Sequence, residues 1–387
     1  MRVRLVAAAA AGTLTVAAGA VGAVAAPANP TQPTVGGPLL ATRGVVERPL
    51  AGAPPLPAAK QLPASSWLVA DLTTNQVLAA KDPHGKFLPA STLKVLTADT
   101  LLPRLDPSSS FRVTFKDANV NGSRVGLVAG MRYTIRKLFT CMLVVSANDA
   151  ADALAQDNGG IKKTVAEMNV EAHALQADDT HAMTPSGLDG VGETTSAYDL
   201  ALIAKHALTI PAFRSYVGTV HSTVPAPHHK HFAIYTHNYL LTTYHGDIGV
   251  KNGYTVHAMG TYIGAATRGG QTILITLMHA YPNFWPMARS LLNWGFKAWD
   301  KVRPVGTLVG PLATAKTKPV SLSSPAPNSE NHVVAKSSGH AVKISARSLE
   351  VAAATVLVLA AIVLIVVVRR RRRRYRRYRP RLKLPPI

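Results

Sequence analysis

The stretch Pro89-Ala90-Ser91-Thr92-Leu93-Lys94 opens a predicted helix that continues to Leu102. Residues three apart lie on the same face of a helix, so Ser91 and Lys94 would be neighbours. A serine hydroxyl is a weak nucleophile at neutral pH and needs a base within reach, and a buried lysine with a lowered pKa can be that base. The pair alone is weak evidence, because a helix N-cap followed by a surface lysine gives the same pattern.

A second candidate element, Ser146-Ala147-Asn148, follows an apolar run that ends at Val145. In a catalytic interpretation Ser146 relays a proton between Lys94 and a leaving amine, while Asn148 holds a peptide carbonyl of the substrate. The alternative is a helix cap, in which Ser or Asn satisfies local backbone groups. The element therefore gains its meaning only in combination with others.

A third candidate element, Lys251-Asn252-Gly253, precedes Tyr254 on a predicted strand. Lys251 would supply positive potential for a substrate carboxylate, and Gly253 would allow close approach of the backbone. Asn-Gly is also a hairpin signal, so a turn is the alternative. The three elements together, in this order, are far stronger evidence than any one of them.

The three elements resemble the S-x-x-K, S-x-N and K-T-G motifs of the penicillin-recognising serine enzymes. Over about Trp67 to Phe296, the surrounding sequence is similar to the low-molecular-mass D-alanyl-D-alanine carboxypeptidases of peptidase family S11. The resemblance implies a serine β-lactamase-like or penicillin-binding-protein-like α/β fold, an antiparallel sheet with a helical cluster. The segments that carry it outside the three elements are Ala70–Leu72, Gln76–Ala79, Thr184–Asp189 and Thr195–Ala201.

The resemblance also implies a reaction. Ser91 would attack the penultimate D-alanine of a peptidoglycan stem peptide, the terminal D-alanine would leave, and water would hydrolyse the acyl-enzyme. The oxyanion would lie between the backbone N–H groups of Ser91 and Tyr254, β-lactams would inhibit, and no metal or cofactor is needed. Asn252 departs from the family, since it replaces a Thr whose hydroxyl binds the substrate's terminal carboxylate. Its amide can still donate a hydrogen bond, so we expect activity with altered β-lactam affinity.

Two other functions would use the same residues. A β-lactamase is disfavoured because the sequence lacks the Glu-x-x-Leu-Asn element with which class A enzymes deacylate. A long-lived acyl-enzyme is therefore expected. A non-catalytic wall-binding or scaffold protein would keep the fold, but the intact Ser91, Lys94, Ser146, Asn148 and Lys251 argue against it.

The secondary structure follows from apolar spacing and turn signals. Hairpins are predicted at residues 67–72 with 76–80, and at 261–266 with 272–279. Further helices are predicted at residues 138–156, 161–172, 196–208 and 286–299. Together they predict a catalytic domain over residues 63–303.

The two ends are predicted to lie outside that domain. Residues 1–25 read as a signal peptide with a small-x-small cleavage site, the alternative being an uncleaved anchor. Residues 349–368 include an unbroken apolar run long enough to cross a bilayer, and the basic tail 369–387 would stay cytoplasmic. The stretches 26–62 and 304–348 are predicted to be flexible spacers, because the first is rich in Pro, Gly, Ala and Thr and the second in Pro, Ser, Lys and Ala. The domain would therefore be membrane-tethered and exported.

The formal net charge of +22 does not point to a nucleic-acid partner. The tail supplies 11 of it and the signal peptide two, which leaves +9 for the rest. The tail suits anionic membrane lipids. Cys141 is the only cysteine, so no intrachain disulfide forms, and we expect it to be buried. The crowded His228, His229 and His231 have no acidic or cysteine ligand nearby, so no metal site is predicted there.

Overall fold

The structure, a computed structural model, describes residues 34–313 of the chain. One antiparallel sheet organises them. The strands are β1 (Val45–Glu47), β2 (Ala64–Asp71), β3 (Gln76–Lys81), β4 (Ser110–Arg112), β5 (Arg132–Thr134), β6 (His221–Ala226), β7 (Lys230–Tyr235), β8 (Asp247–Thr255), β9 (Met259–Arg268), β10 (Gln271–Ala280) and β11 (Gly306–Thr307). The sheet has the order β1-β3-β2-β10-β9-β8, and β11 also pairs with β3. β4 with β5 and β6 with β7 form two separate ribbons.

Helices cover both faces of the central sheet. They are α1 (Lys94–Leu101), α2 (Phe115–Ala118), α3 (Ile135–Val144), α4 (Asn148–Asp157), α5 (Ile161–Ala174), α6 (Ala197–Ala207), α7 (Pro211–Val217), α8 (Leu240–Thr243) and α9 (Trp285–Ala298). α6 packs on β2 and β10 from one side, and α9 packs on the same strands from the other. α1 contacts α3, α4, α5 and α6 within the helical cluster. The expected antiparallel sheet with a helical cluster is therefore confirmed.

The central strands contribute to two separate apolar cores. On β2, Leu68 and Ala70 belong to the core on the α6 side, whereas Trp67 and Val69 belong to the core under α9. Because both faces are covered, the strand reads as an apolar run and not as an alternating one. Cys141 is buried in the core on the α6 side, as expected.

The start of α1 lies where the helical cluster meets the edge of the sheet. A 3-10 turn, Ala90–Leu93, leads into α1 and contacts β8 and β9. Every residue of α1 is buried, because other helices and the sheet surround it. This packing places the first turn of the helix against the edge strand β8.

Most of the predicted elements are confirmed, but one predicted helix is wrong. Both hairpins and the helices α1, α5, α6 and α9 lie where the sequence indicated. The continuous helix predicted over 138–156 is instead two helices, α3 and α4, separated by Val145–Ala147. Ser146 has a φ of 61°, which a right-handed helix cannot accommodate. Apolar spacing continues across this break, so periodicity alone could not reveal it.

The predicted spacer 26–62 is wrong over its described part. Val45–Glu47 forms β1 and pairs with residues 79–81 of β3. Leu40 is fully buried, and the Pro54 carbonyl accepts a hydrogen bond from Trp294 Nε1. Proline-rich chain can still supply a short edge strand, since an edge residue does not need both backbone partners. The domain also continues beyond residue 303, because β11 pairs with β3.

The predicted signal peptide, the membrane helix 349–368 and the basic tail all lie outside the described residues. Within residues 34–313, no helix combines the length and the hydropathy that crossing a membrane requires.

Candidate active site

The amine of Lys94 lies at hydrogen-bond distance from three oxygens. Nζ is 2.9 Å from Ser91 Oγ, 2.7 Å from Asn148 Oδ1 and 2.7 Å from the Ser186 carbonyl. The first contact follows from the helical spacing of Ser91 and Lys94, whereas the other two come from distant parts of the chain. Lys94 is completely buried and Ser91 is half-buried, so only the hydroxyl lies where a substrate can reach it.

When Lys94 is neutral, these three contacts determine the direction of its hydrogen bond with Ser91. An ammonium group has three N–H donors, but a neutral amine has two donors and one lone pair. The oxygens of Asn148 and Ser186 can only accept, so they take the two N–H donors of the neutral amine. Ser91 is the only partner that can donate, and its O–H must then point at the lone pair of Lys94. The neutral lysine is thus held in the geometry of a general base.

The surroundings of Lys94 favour that neutral form. Burial and the nearby charge of Lys251 lower its pKa well below the usual value, while Asp152, Glu193 and Asp149 act in the opposite direction. The expected combination of burial and a second cation is present. Lys94 can therefore accept a proton at a pH at which an exposed lysine cannot.

Ser146 and Asn148 lie at the break between α3 and α4. Ser146 is nearly buried and has a left-handed backbone conformation, which is costly for a residue with a side chain and is common at functional sites. Asn148 Nδ2 donates to the Asn121 carbonyl at 2.7 Å, which turns Oδ1 towards Lys94. Asn148 thus orients the amine of Lys94, a contact that the sequence did not reveal.

Strand β8 brings the third element to Ser91. A Cβ added to Gly253 would lie 2.7 Å from the Ser91 backbone nitrogen and 2.5 Å from Thr261 Oγ1, so only glycine fits. Lys251 is buried, and its Nζ donates to the Asn252 carbonyl at 2.7 Å. Burial lowers the pKa of Lys251 to about 7. The backbone of β8 therefore passes Ser91 at close range, as the predicted oxyanion pair requires.

Comparison with known proteins agrees with this geometry. The model of the D-alanyl-D-alanine carboxypeptidase family, peptidase S11, matches residues 53–281. The D-alanyl-D-alanine carboxypeptidase DacB2 of Mycobacterium tuberculosis is 40% identical over 265 residues, which are 67% of this chain and 89% of that protein. This chain belongs to peptidase family S11.

Solved structures place this S11 enzyme among the penicillin-binding proteins. The crystal structure of a D-alanyl-D-alanine carboxypeptidase from Mycobacterium tuberculosis is 39% identical, with a TM-score of 0.62 over 69% of this chain and all of that one. A mutant of the Streptomyces K15 DD-transpeptidase is 26% identical, with a TM-score of 0.59 over 61% of this chain and 98% of that one. The fold is therefore the penicillin-binding-protein-like α/β fold. The protein is a serine D-alanyl-D-alanine carboxypeptidase of a family that acts on peptidoglycan and binds β-lactams.

Asn252 and Tyr254 complete the predicted set of site residues. Asn252 is half-buried and pairs with Tyr262, whereas Lys251 pairs with Ile263. Tyr262 and Ile263 belong to different cores, so the side chains of Asn252 and Lys251 leave the strand on opposite sides. The side chain of Tyr254 is 56% exposed. The predicted carboxylate contact of Asn252 stays a prediction.

The loop that supplies the Ser186 carbonyl is the segment Thr184–Asp189, which carries part of the family resemblance. The sequence predicted no role for it in the site. Gly187 has a φ of 74°, and a side chain there would overlap the Ala90 carbonyl. Thr255 Oγ1 donates to Asp189 at 2.7 Å, which ties the loop to the end of β8. A backbone carbonyl has no sequence signature, so Ser186 could not be found from the sequence.

None of these contacts includes a residue of the histidine cluster. His228 and His229 form the tip of the β6–β7 ribbon, both with positive φ. Two groups of His and carboxylate side chains within residues 34–313 are close enough to share an ion, and neither includes the ribbon. They are His84 with Asp179 and Asp199, and Asp99 with Glu171 and His206.

Proposed function

We propose that Ser91 is the nucleophile, and Lys94 its general base, in removal of the terminal D-alanine from peptidoglycan pentapeptide stems. The observation that carries the proposal is the triple contact of Lys94, which leaves Ser91 as the only possible donor to a neutral amine. General bases of this kind contribute on the order of 10²- to 10⁴-fold to a rate.

The reaction balances with these residues. Ser91 Oγ bonds to the carbonyl carbon of the penultimate D-alanine, and its proton passes to Lys94 Nζ. The oxyanion is stabilised by the backbone N–H groups of Ser91 and Tyr254. Ser146 then relays the proton to the amine of the leaving D-alanine as the peptide C–N bond breaks. Water, deprotonated by Lys94, hydrolyses the ester and returns Ser91 to its starting form.

Lys251 has a separate role at the substrate's end. Its pKa of about 7 means that the empty site carries only part of a positive charge near neutral pH. The terminal carboxylate of the stem would stabilise the ammonium form, because an opposite charge nearby raises the pKa of a lysine. A peptide that ends in a free carboxylate is thereby distinguished from one that ends in an amide.

A fluorescent penicillin tests the nucleophile. The purified ectodomain should be labelled covalently, Ser91→Ala should not, and release of D-alanine from a pentapeptide should be lost with it. Equal labelling of both proteins would show that Ser91 is not the nucleophile. Rapid turnover of the penicillin would favour a β-lactamase instead.

We further propose that the catalytic domain lies outside the cytoplasmic membrane. The apolar segment 349–368 would cross it, and the tail 369–387 would contact anionic lipids on the cytoplasmic side. Protease added to intact spheroplasts should digest the domain and leave an epitope placed after Lys383 intact. The reverse pattern would overturn this topology.

A further inference from the structure

The loop that supplies the Ser186 carbonyl is hydrogen-bonded to a buried carboxyl group, that of Glu193. Glu193 is 1% exposed, and its Oε2 accepts a hydrogen bond from Thr184 Oγ1 at 3.2 Å. Its Oε1 is buried and has no hydrogen-bond partner within residues 34–313. The buried Glu193 carboxyl group therefore stabilises the loop through its contact with Thr184.

The hydroxyl of Thr184 connects this carboxyl group to the site. Because Thr184 donates to Glu193, its lone pairs are free to accept, and the Gly187 N–H donates to Oγ1 at 3.0 Å. That N–H and the Ser186 carbonyl belong to one planar peptide unit. The carbonyl end of the same unit accepts from Lys94 at 2.7 Å. A continuous chain of hydrogen bonds thus runs from Glu193 to the base.

We propose that Glu193 and Thr184 are positioning residues, which hold the Ser186–Gly187 peptide unit so that its carbonyl orients Lys94 towards Ser91. The inference rests on the proposed role of Lys94 as general base. Neither residue touches the substrate in this arrangement. This hydrogen-bonded chain from Glu193 through Thr184, here called the relay, acts on Lys94 only through the direction of the Ser186 carbonyl group.

Glu193 also acts on Lys94 through its charge. The charged groups around Lys94 are Lys251 from β8, Asp149 and Asp152 from α4, and Glu193 from the loop. A negative Glu193 stabilises the ammonium form of Lys94 and so raises its pKa, against burial and Lys251. Burial, together with Asp189, raises the pKa of Glu193 itself to about 7. Different variants can therefore separate the effect of this relay on the position of the Ser186 carbonyl from the effect of the Glu193 charge on Lys94.

Thr184→Val removes the hydroxyl at nearly constant volume and leaves the Glu193 charge. We expect the plateau rate of acylation by a fluorescent penicillin to fall about tenfold or more, since small misplacements of catalytic groups cost up to about 10²-fold. Thr184→Ser restores the hydroxyl and should restore the rate. Rates are expressed per folded molecule, with the melting temperature measured for each variant.

Glu193→Gln keeps an oxygen that can accept from Thr184 but removes the charge. We expect the plateau to stay close to that of the unaltered protein, while the acidic limb of the pH–rate profile moves to lower pH, because Lys94 loses a neighbouring anion. Asp178→Asn removes an exposed carboxylate that pairs with His173 and serves as the charge control, with no shift expected.

The outcomes separate this inference from the proposed function. If Ser91→Ala abolishes labelling but Thr184→Val and Glu193→Gln acylate like the unaltered protein at every pH, the relay is refuted and the nucleophile stands. A loss in Thr184→Val that Thr184→Ser does not restore also refutes it. If Ser91→Ala is still labelled, the proposed mechanism is refuted, and so is the relay that rests on it.

Discussion

Gly253→Ala tests how closely β8 must approach the nucleophile. The added Cβ would lie 2.7 Å from the Ser91 nitrogen, 2.5 Å from Thr261 Oγ1 and 3.0 Å from Ala90 Cβ. Restoring an ordinary contact of 3.4 Å to the Ser91 nitrogen requires a shift of about 0.7 Å. Since a misplacement of about 1 Å can cost about 10²-fold in rate, we expect acylation by penicillin to slow by roughly 10- to 100-fold. Overpacking of this kind typically costs about 1–3 kcal/mol in the free energy of unfolding.

The assay is the second-order rate of labelling by a fluorescent penicillin, with the melting temperature measured in parallel. Gly310→Ala is the matched control, because a Cβ there meets no atom within 4 Å and its rate should not change. An acylation rate of Gly253→Ala equal to that of the control would refute the close approach of β8 to Ser91. The proposed oxyanion site would then need another strand position.

Three further predictions address the departure from the family, the strained backbone and a buried ion pair. Asn252→Thr, which restores the family residue, should speed acylation by roughly fivefold if the Thr hydroxyl binds the carboxylate about 1 kcal/mol better than the Asn amide does, and an unchanged rate would contradict this advantage. Ser146→Gly should raise the free energy of unfolding in urea by up to about 1 kcal/mol, because it relieves the positive φ, yet slow acylation by about 10²-fold or more. The hydrogen bond that His206 donates to the Asp99 carboxylate raises the pKa of His206, so His206 holds its proton more tightly in the folded state. This stabilisation is full below the ordinary histidine pKa of about 6.5 and is lost as pH rises through the higher folded-state pKa, so stability in urea should fall as pH rises above about 6.5, and fall less in His206→Gln.

Local geometry explains why part of the site could be predicted from the sequence. Ser91 and Lys94 are three residues apart in a helix, and that spacing alone brings their side chains together. The hairpin of β2 and β3 follows from apolar strands around a turn. Each of these features depends on neighbours in the chain, which the sequence contains directly.

The features that the sequence did not predict all depend on distant contacts. The end of α3 at Val144 accepts a backbone hydrogen bond from His237, and the break that follows lets Asn148 face Lys94. β1 forms from a proline-rich stretch because β3 offers it a free edge. The hydrogen-bond chain from Glu193 through Thr184 ends at the Ser186–Gly187 peptide unit, whose orientation no residue type encodes.

The amino-acid sequence by itself determined which groups could do chemistry: two serine hydroxyls, two lysine amines and two asparagine amides in a fixed order, with a family resemblance that names the reaction. Only the tertiary structure decided how the groups are used. Packing of α1 against α4, and of the 3-10 turn before it against β8, removes water from Lys94, lowers its pKa and gives it two acceptors that cannot donate. The physical reason is that desolvation and hydrogen-bond direction depend on what surrounds a residue in space, and those surroundings come from parts of the chain far away in sequence.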